Sequence, residues 1–249
     1  QWTDDTEMAC SVYVTLAAHG IIDQDALAAS FARRHDFDRG YGPATNRMLR
    51  LVRDGGDWRT LAAGSFDGSG SWGNGAAMRV APLGAFFAGD PAEAARQAAL
   101  SATVTHTHPE AVARAIAIAV ATAHAACGPL PPGPFIDRVL EHVPPGNVYN
   151  GIAEARNMLT VSDPETAAYV LGNGREVAAH DTVPFTIWAA ARHLAECEQA
   201  IWATAVAGGD IDTTCAIVGG ITAAATEPGC LPKAWMRAAE PLPQWINPS

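Results

Sequence analysis

Asp90-Pro91-Ala92-Glu93-Ala94-Ala95-Arg96-Gln97-Ala98-Ala99-Leu100-Ser101-Ala102-Thr103-Val104-Thr105 carries a helix start and a helix body in one line. Asp90 can accept a bond from an orphan amide, Pro91 sits where a missing N–H costs nothing, and Glu93 completes the capping pattern. The Ala-rich run after them extends to about Thr105. Asp163-Pro164-Glu165 repeats part of the same signal. Apolar spacing predicts further helices over 7–19, 25–34, 45–53, 76–87, 109–127, 135–142, 152–159, 184–196, 199–207 and 213–225. Alternating β-branched runs bounded by turns are almost absent. Turn chemistry fills the gaps: Asp54-Gly55-Gly56, residues 64–75 and 128–133, Pro144-Pro145-Gly146-Asn147 and Gly172-Asn173-Gly174. The expected fold is all-α, a compact many-helix bundle in a single domain. No repeat period or linker divides it, and the Pro-rich tail after Pro228 reads as irregular and peripheral.

The chain has 249 residues, enough for one large domain, and apolar residues make up 49% of it against 17% charged, so much of its helical surface is expected to be buried. The net charge is −10 with no Lys/Arg-rich run, which argues against a nucleic-acid groove or an anionic membrane as partner. An anionic ligand would be met by metal, helix starts or a few placed donors. Five scattered cysteines without a CxxC pair suit small buried thiols of a reducing compartment, and the reading is cytoplasmic. The first residues do not read as a signal peptide, and none is expected. The apolar run 111–126, broken by Arg114 and His124, is expected to be a buried helix rather than a membrane span. Oligomeric state leaves no mark in the sequence.

Two acidic clusters lie near opposite ends: Thr3-Asp4-Asp5-Thr6, and Gly208-Gly209-Asp210-Ile211-Asp212-Thr213-Thr214. Each mixes carboxylates with hydroxyls ahead of an apolar helix, a hard-oxygen donor set that suits Mg²⁺ or Mn²⁺. Asp4, Asp5, Asp210 and Asp212 in one place would repel one another, and a divalent cation relieves that better than protons do. Plain helix capping is the competing explanation for each taken singly. Gly208-Gly209, which permit positive φ and close approach, favour the metal site. Asp210 and Asp212 are placed on the turn into a helix, whose positive end favours both.

Ser69-Gly70-Ser71-Trp72-Gly73-Asn74-Gly75 is a glycine-dense loop whose backbone amides could hold phosphate, with Asn74 and Arg79 as possible donors to an anion. A flexible surface connection would look the same. In Thr105-His106-Thr107-His108-Pro109-Glu110, metal ligation by the imidazoles is disfavoured because no third nitrogen or sulfur donor stands nearby. His106 could serve a substrate or be structural. His108 belongs to the helix entry.

Together these segments resemble the ADP-ribosylglycohydrolase family, enzymes similar to dinitrogenase reductase-activating glycohydrolase. The resemblance rests on Trp2-Thr3-Asp4-Asp5-Thr6-Glu7-Met8, Arg39-Gly40-Tyr41-Gly42, Ser71-Trp72-Gly73-Asn74-Gly75-Ala76-Ala77-Met78-Arg79, Thr105-His106, Leu171-Gly172-Asn173-Gly174 and Gly208-Gly209-Asp210-Ile211-Asp212-Thr213, in family order. It implies an all-helical domain with two Mg²⁺ or Mn²⁺ on Thr3, Asp4, Asp5, Asp210, Asp212 and Thr213. It also implies a diphosphate loop at Gly70, Ser71, Gly73, Asn74 and Gly75, with Trp72 nearby and His106 reaching the distal ribose or phosphate. Asp38 is carried over as an acid assisting the chemistry, beside Asp5 and Asp210. The family pattern places a Gly-Asp-Ala-x-Gly helix upstream of the Thr-Asp-Asp cluster, and the expectation is a single domain over 1–249 without that segment.

The activity implied is metal-dependent hydrolysis of the N-glycosidic bond between ADP-ribose and a modified arginine, with an ADP-ribosylated protein as partner. The alternatives are the same chemistry on serine- or base-linked ADP-ribose, or a non-catalytic ADP-ribose binder. Retention of all the oxygen ligands favours the enzyme over the binder.

Overall fold

The structure, a computed structural model, describes residues 1–175 and 181–246. Fourteen α-helices and no strands are present among them: α1 (Asp4–His19), α2 (Gln24–Arg34), α3 (Pro43–Arg53), α4 (Trp58–Ala63), α5 (Ala81–Phe86), α6 (Pro91–Thr103), α7 (Pro109–Ala125), α8 (Pro132–Leu140), α9 (Asn147–Asn157), α10 (Pro164–Leu171), α11 (Val183–Arg192), α12 (Cys197–Val206), α13 (Ile211–Ala224) and α14 (Lys233–Ala238). The all-α expectation holds. Asp90 and Asp163 cap α6 and α10 as read, each accepting a backbone amide three residues on, at 3.0 and 2.9 Å.

The expected helix over 76–87 does not form as one piece. A 3₁₀ turn covers Asn74–Ala76, and α5 begins only at Ala81. Pro82 has no amide to bond the carbonyl four residues back, and its ring would collide with it, so the first turns detach. Two short helices escaped the sequence reading. Asp57 caps α4, and α14 lies inside the tail expected to be irregular.

At the centre runs α7, buried on nearly every side from Ala111 to Ala125 and packed against α5, α6, α8, α9, α11 and α13. No described helix is long and apolar enough to cross a membrane. Alanine keeps α7 thin. Gly84 of α5 lets the two axes close up, since a Cβ there would strike the Ala119 carbonyl and the Thr122 side chain. Gly84→Ala is expected to destabilise by about 1–3 kcal/mol through overpacking, read as a drop of about 2–4 °C in Tm per kcal/mol. A smaller cluster built on Phe185, Trp188, Leu171 and Val218 fills the space between α9 to α13. Trp188 Nε1 donates to the Met158 carbonyl at 3.1 Å within it.

The tail lies at the surface, as expected, but it is tied down. Glu240 accepts from Arg39 Nη1 and Nη2, both at 2.9 Å, and from the Trp2 amide at 3.2 Å, while Trp2 Nε1 donates to the Pro241 carbonyl at 3.1 Å. Arg39 also stacks on the Trp2 ring, 3.3 Å from its centroid. These contacts pin the chain immediately before α1. Helices α1 and α13 both pack on α5 and on each other, and Asp4, Asp210 and Asp212 at their N-terminal ends line one cavity.

Candidate functional site

Thr3 and Asp210 occupy the N-cap positions of α1 and α13, yet neither side chain caps. The contrast with Asp23, Asp57, Asp90 and Asp163 is direct, since each of those accepts an amide at its own helix start. The Thr3 hydroxyl instead donates to Asp5 Oδ2 at 2.7 Å, and Asn74 Nδ2 donates to Asp210 Oδ2 at 2.7 Å. Gly208 and Gly209 take φ of 69° and 79°, as their sequence suggested. The Asp210 amide donates to the Asn173 carbonyl at 2.9 Å, and Asn173 Nδ2 donates to the Ala207 carbonyl at 2.9 Å. A Cβ on Gly209 would strike Asn173, and one on Gly174 would strike Asp210. The Gly172-Asn173-Gly174 segment is thus the clamp that aims Asp210.

Burial first, then the Asp5 and Asp212 carboxylates, push Asp4 up to about 7. Asp210 rises to about 6 from burial and its Asp212 neighbour, with Asn74 pulling the other way. Burial also raises Asp5, against hydrogen bonds from Thr3 and Thr213, and its Oδ1 is buried without a hydrogen-bond partner. Two helix starts therefore hold more negative charge than they can solvate. Among the described residues no three His, Cys, Asp or Glu side chains form a ready-made metal cluster. The fit to Mg²⁺ or Mn²⁺ lies in the donor chemistry: hard oxygens, an unpartnered buried carboxylate oxygen, and repulsion that a cation removes.

A cavity of about 410 Å³ opens beside them. Asp4, Asp210, Asp212 and Thr213 line it together with Ser71, Trp72, Gly73, Asn74, Gly75 and His106. Thr3 and Asp5 are outside its lining, joined to each other. Gly70 is buried off the cavity with φ 75°, where any side chain would hit Thr107. Asp38 is exposed on a 3₁₀ turn, Phe37–Arg39, outside the lining. That segment is tied to α1 by Tyr41, whose hydroxyl donates to buried Glu7 Oε2 at 2.6 Å, and Gly40 lies over Asp4. Phe66 also lines the cavity, its ring 4.8 Å from Trp72, and was missed by the sequence reading. Its φ of 53° and that of Asp67, 56°, are left-handed without glycine, a strain of about 1–2 kcal/mol each. A second cavity of about 410 Å³ shares Ala44 and Phe66 with the first but gathers no acidic cluster.

Arg79 is not a loop donor. It is wholly buried under the Phe31 ring, its guanidinium on Thr105 and the Ser101 carbonyl, and burial lowers it to about 9, which leaves it charged at neutral pH. The helix break before α5 turns it inward. His106 is buried behind Gly73 and Gly75; burial, then Arg79 and Arg114, push it down to about 3, so the ring is neutral. Arg114 of α7 donates to the Trp72 carbonyl at 2.8 Å and anchors the loop. His108 caps α7 by accepting the Glu110 amide.

The family profile for ADP-ribosylglycohydrolase matches residues 1–248. The chain belongs to the ADP-ribosylglycohydrolase family. It is 27% identical over 274 residues to ADP-ribosylhydrolase ARH3 of Homo sapiens, covering 96% of this chain and 74% of that protein. The Xenopus tropicalis ADP-ribosylhydrolase ARH3 is 26% identical over 272 residues, covering 96% and 77%. An uncharacterised protein of Archaeoglobus fulgidus is 29% identical over 246 residues, covering 95% and 74%. Among solved structures, an "ADP-ribosylglycohydrolase-related protein complex" superposes with a TM-score of 0.62 at 26% identity, over 96% of this chain and 76% of that one. The all-α bundle is thus an ADP-ribosylglycohydrolase fold, and the chain a hydrolase of that family.

Proposed function

We propose that this chain cleaves the N-glycosidic bond between C1″ of ADP-ribose and an arginine side chain, reversing mono-ADP-ribosylation. Two Mg²⁺ or Mn²⁺ would be held by Thr3, Asp4, Asp5, Asp210, Asp212 and Thr213. The observation that carries this reading is the pair of acidic helix starts that decline to cap and line one cavity together with a glycine loop.

When bound, the cations would supply Lewis-acid polarisation and a nucleophile near neutral pH. The remaining work falls to side chains and backbone. The amides of Gly73, Asn74 and Gly75 would take the diphosphate without a basic side chain. Phe66 and Trp72 offer an aromatic wall against which a purine can stack. Asp5 and Asp210 would stabilise positive charge as it builds at the anomeric carbon. Arginine leaves only when protonated, and the Asp38 carboxyl would supply that proton at the guanidine nitrogen. Its exposed place suits a side chain carried in on another protein. Free thiols at all five cysteines fit a reducing compartment such as the cytoplasm.

Release of ADP-ribose from arginine-, serine- and guanine-linked substrates, each with Mg²⁺ and with EDTA, tests the proposal. Mg²⁺-dependent release from the arginine substrate is expected. Release from only another linkage corrects the substrate, full turnover in EDTA ends the metal mechanism, and affinity without release at any metal concentration makes the chain a binder.

A further inference from the structure

A hydrogen-bonded chain stands behind the glycine loop. Arg79 Nη1 donates to Thr105 Oγ1 at 2.9 Å, and Nη2 to the Ser101 carbonyl at 2.7 Å. Thr105 Oγ1 lies 2.7 Å from His106 Nδ1. Among the described residues Arg79 has no carboxylate partner within 4.0 Å. Its charge is therefore spent on a hydroxyl, a carbonyl, the Met8 thioether and the Phe31 ring.

Proton counting then decides the tautomer. A threonine hydroxyl owns one hydrogen, and a guanidinium cannot accept it. With Arg79 donating to Oγ1, the Thr105 hydrogen points to His106 Nδ1, which must be bare, and the ring hydrogen goes to Nε2. The opposite tautomer would leave the Thr105 hydrogen buried and unbonded, a penalty of the kind proteins avoid. Nε2 looks out between two α-carbons: a Cβ at residue 73 would lie 3.4 Å from it and one at residue 75 would lie 3.2 Å from it. Glycine at both positions keeps this window open onto the cavity that Asp4 and Asp210 line.

We infer that Arg79 and Thr105 are positioning residues that lock His106 as an Nε2–H donor aimed through the glycine window at an electron-rich oxygen of the ligand. The ligand half of this rests on the ADP-ribosyl reading above. The ring is neutral across the working pH range, so it donates a directional bond rather than a charge. In the other tautomer the same nitrogen would present a lone pair and repel that oxygen.

Long-range ¹H–¹⁵N spectra of histidine-labelled protein, with His106 assigned by its loss in His106→Gln, read the tautomer directly. Nε2–H is expected from pH 6 to pH 8 in the unaltered protein and in Thr105→Ser. Calorimetry with ADP-ribose should show Thr105→Val weakened about tenfold, as for a misdirected buried donor, and Thr105→Ser restored to within about twofold. An Nδ1–H ring in the unaltered protein overturns the inference whatever the ligand, and it does so without any variant having to fold. Unchanged ADP-ribose affinity in Thr105→Val overturns it too. An Nε2–H ring in a protein that does not bind ADP-ribose supports the lock and sinks the ligand proposed for the site.

Discussion

Asp210→Ala and Asp212→Ala should each lower ADP-ribose release by more than about 100-fold, beyond what loss of an outer-shell partner costs a metal site, while far-UV circular dichroism stays that of a helical protein. The separation follows from what these side chains do not do. Asp210 sits at a helix start without capping it, so its removal deprives α13 of no amide partner. It also relieves repulsion with Asp4, Asp5 and Asp212, and the metal-free variant should be at least as stable as the parent. Asp163→Ala is the mirror control. Asp163 caps α10 through the Thr166 amide, so its loss should cost about 1 kcal/mol of stability and leave turnover unchanged. Turnover that survives Asp212→Ala would refute the assignment, as would an Asp210→Ala chain that fails to fold.

The second large effect is thermal and depends on pH. Asp4 titrates near 7 in the fold against 3.8 for the unfolded chain, so between those values the folded state holds more protons. Stability without metal therefore falls as pH rises from about 4 to about 7 and levels off above. A full shift of that size corresponds to an upper limit of about 4 kcal/mol, reduced because neighbouring carboxylates share the proton. A cation replaces those protons. At 100 times its Kd it should add about 2.7 kcal/mol, or about 5–10 °C in Tm for a chain of this size. The increment should be large at pH 8, small at pH 5.5, and lost in Asp212→Ala. Scanning calorimetry with Mg²⁺, with Mn²⁺ and with EDTA measures it. A Tm indifferent to cation at both pH values would refute the site.

Local chemistry explains why so much was legible beforehand. Asp90-Pro91 and Asp163-Pro164 act on the amides beside them, so the helix starts they announce are where they say. Gly208-Gly209 needed only their own backbone freedom to be read as the approach to Asp210. Arg79 was misread for the opposite reason: its address depends on Pro82 breaking the helix and on Phe31, Ser101 and Thr105 arriving from α2 and α6 and its exit. Asp38 entered the site by resemblance alone, and the fold leaves it exposed beyond the cavity wall.

Amino-acid order by itself determined the helical class, the two acidic helix starts, the glycine loop and the family, because caps, prolines and short motifs work over a few bonds. The tertiary structure decided which carboxylates are free of capping duty, that the tail closes over Trp2, and that Thr105 stands between a buried guanidinium and His106. Those outcomes turn on groups far apart in the chain, Arg79 with Thr105 at 26 positions and Trp2 with Glu240 at 238 among them. Only tertiary packing brings such groups within hydrogen-bond distance.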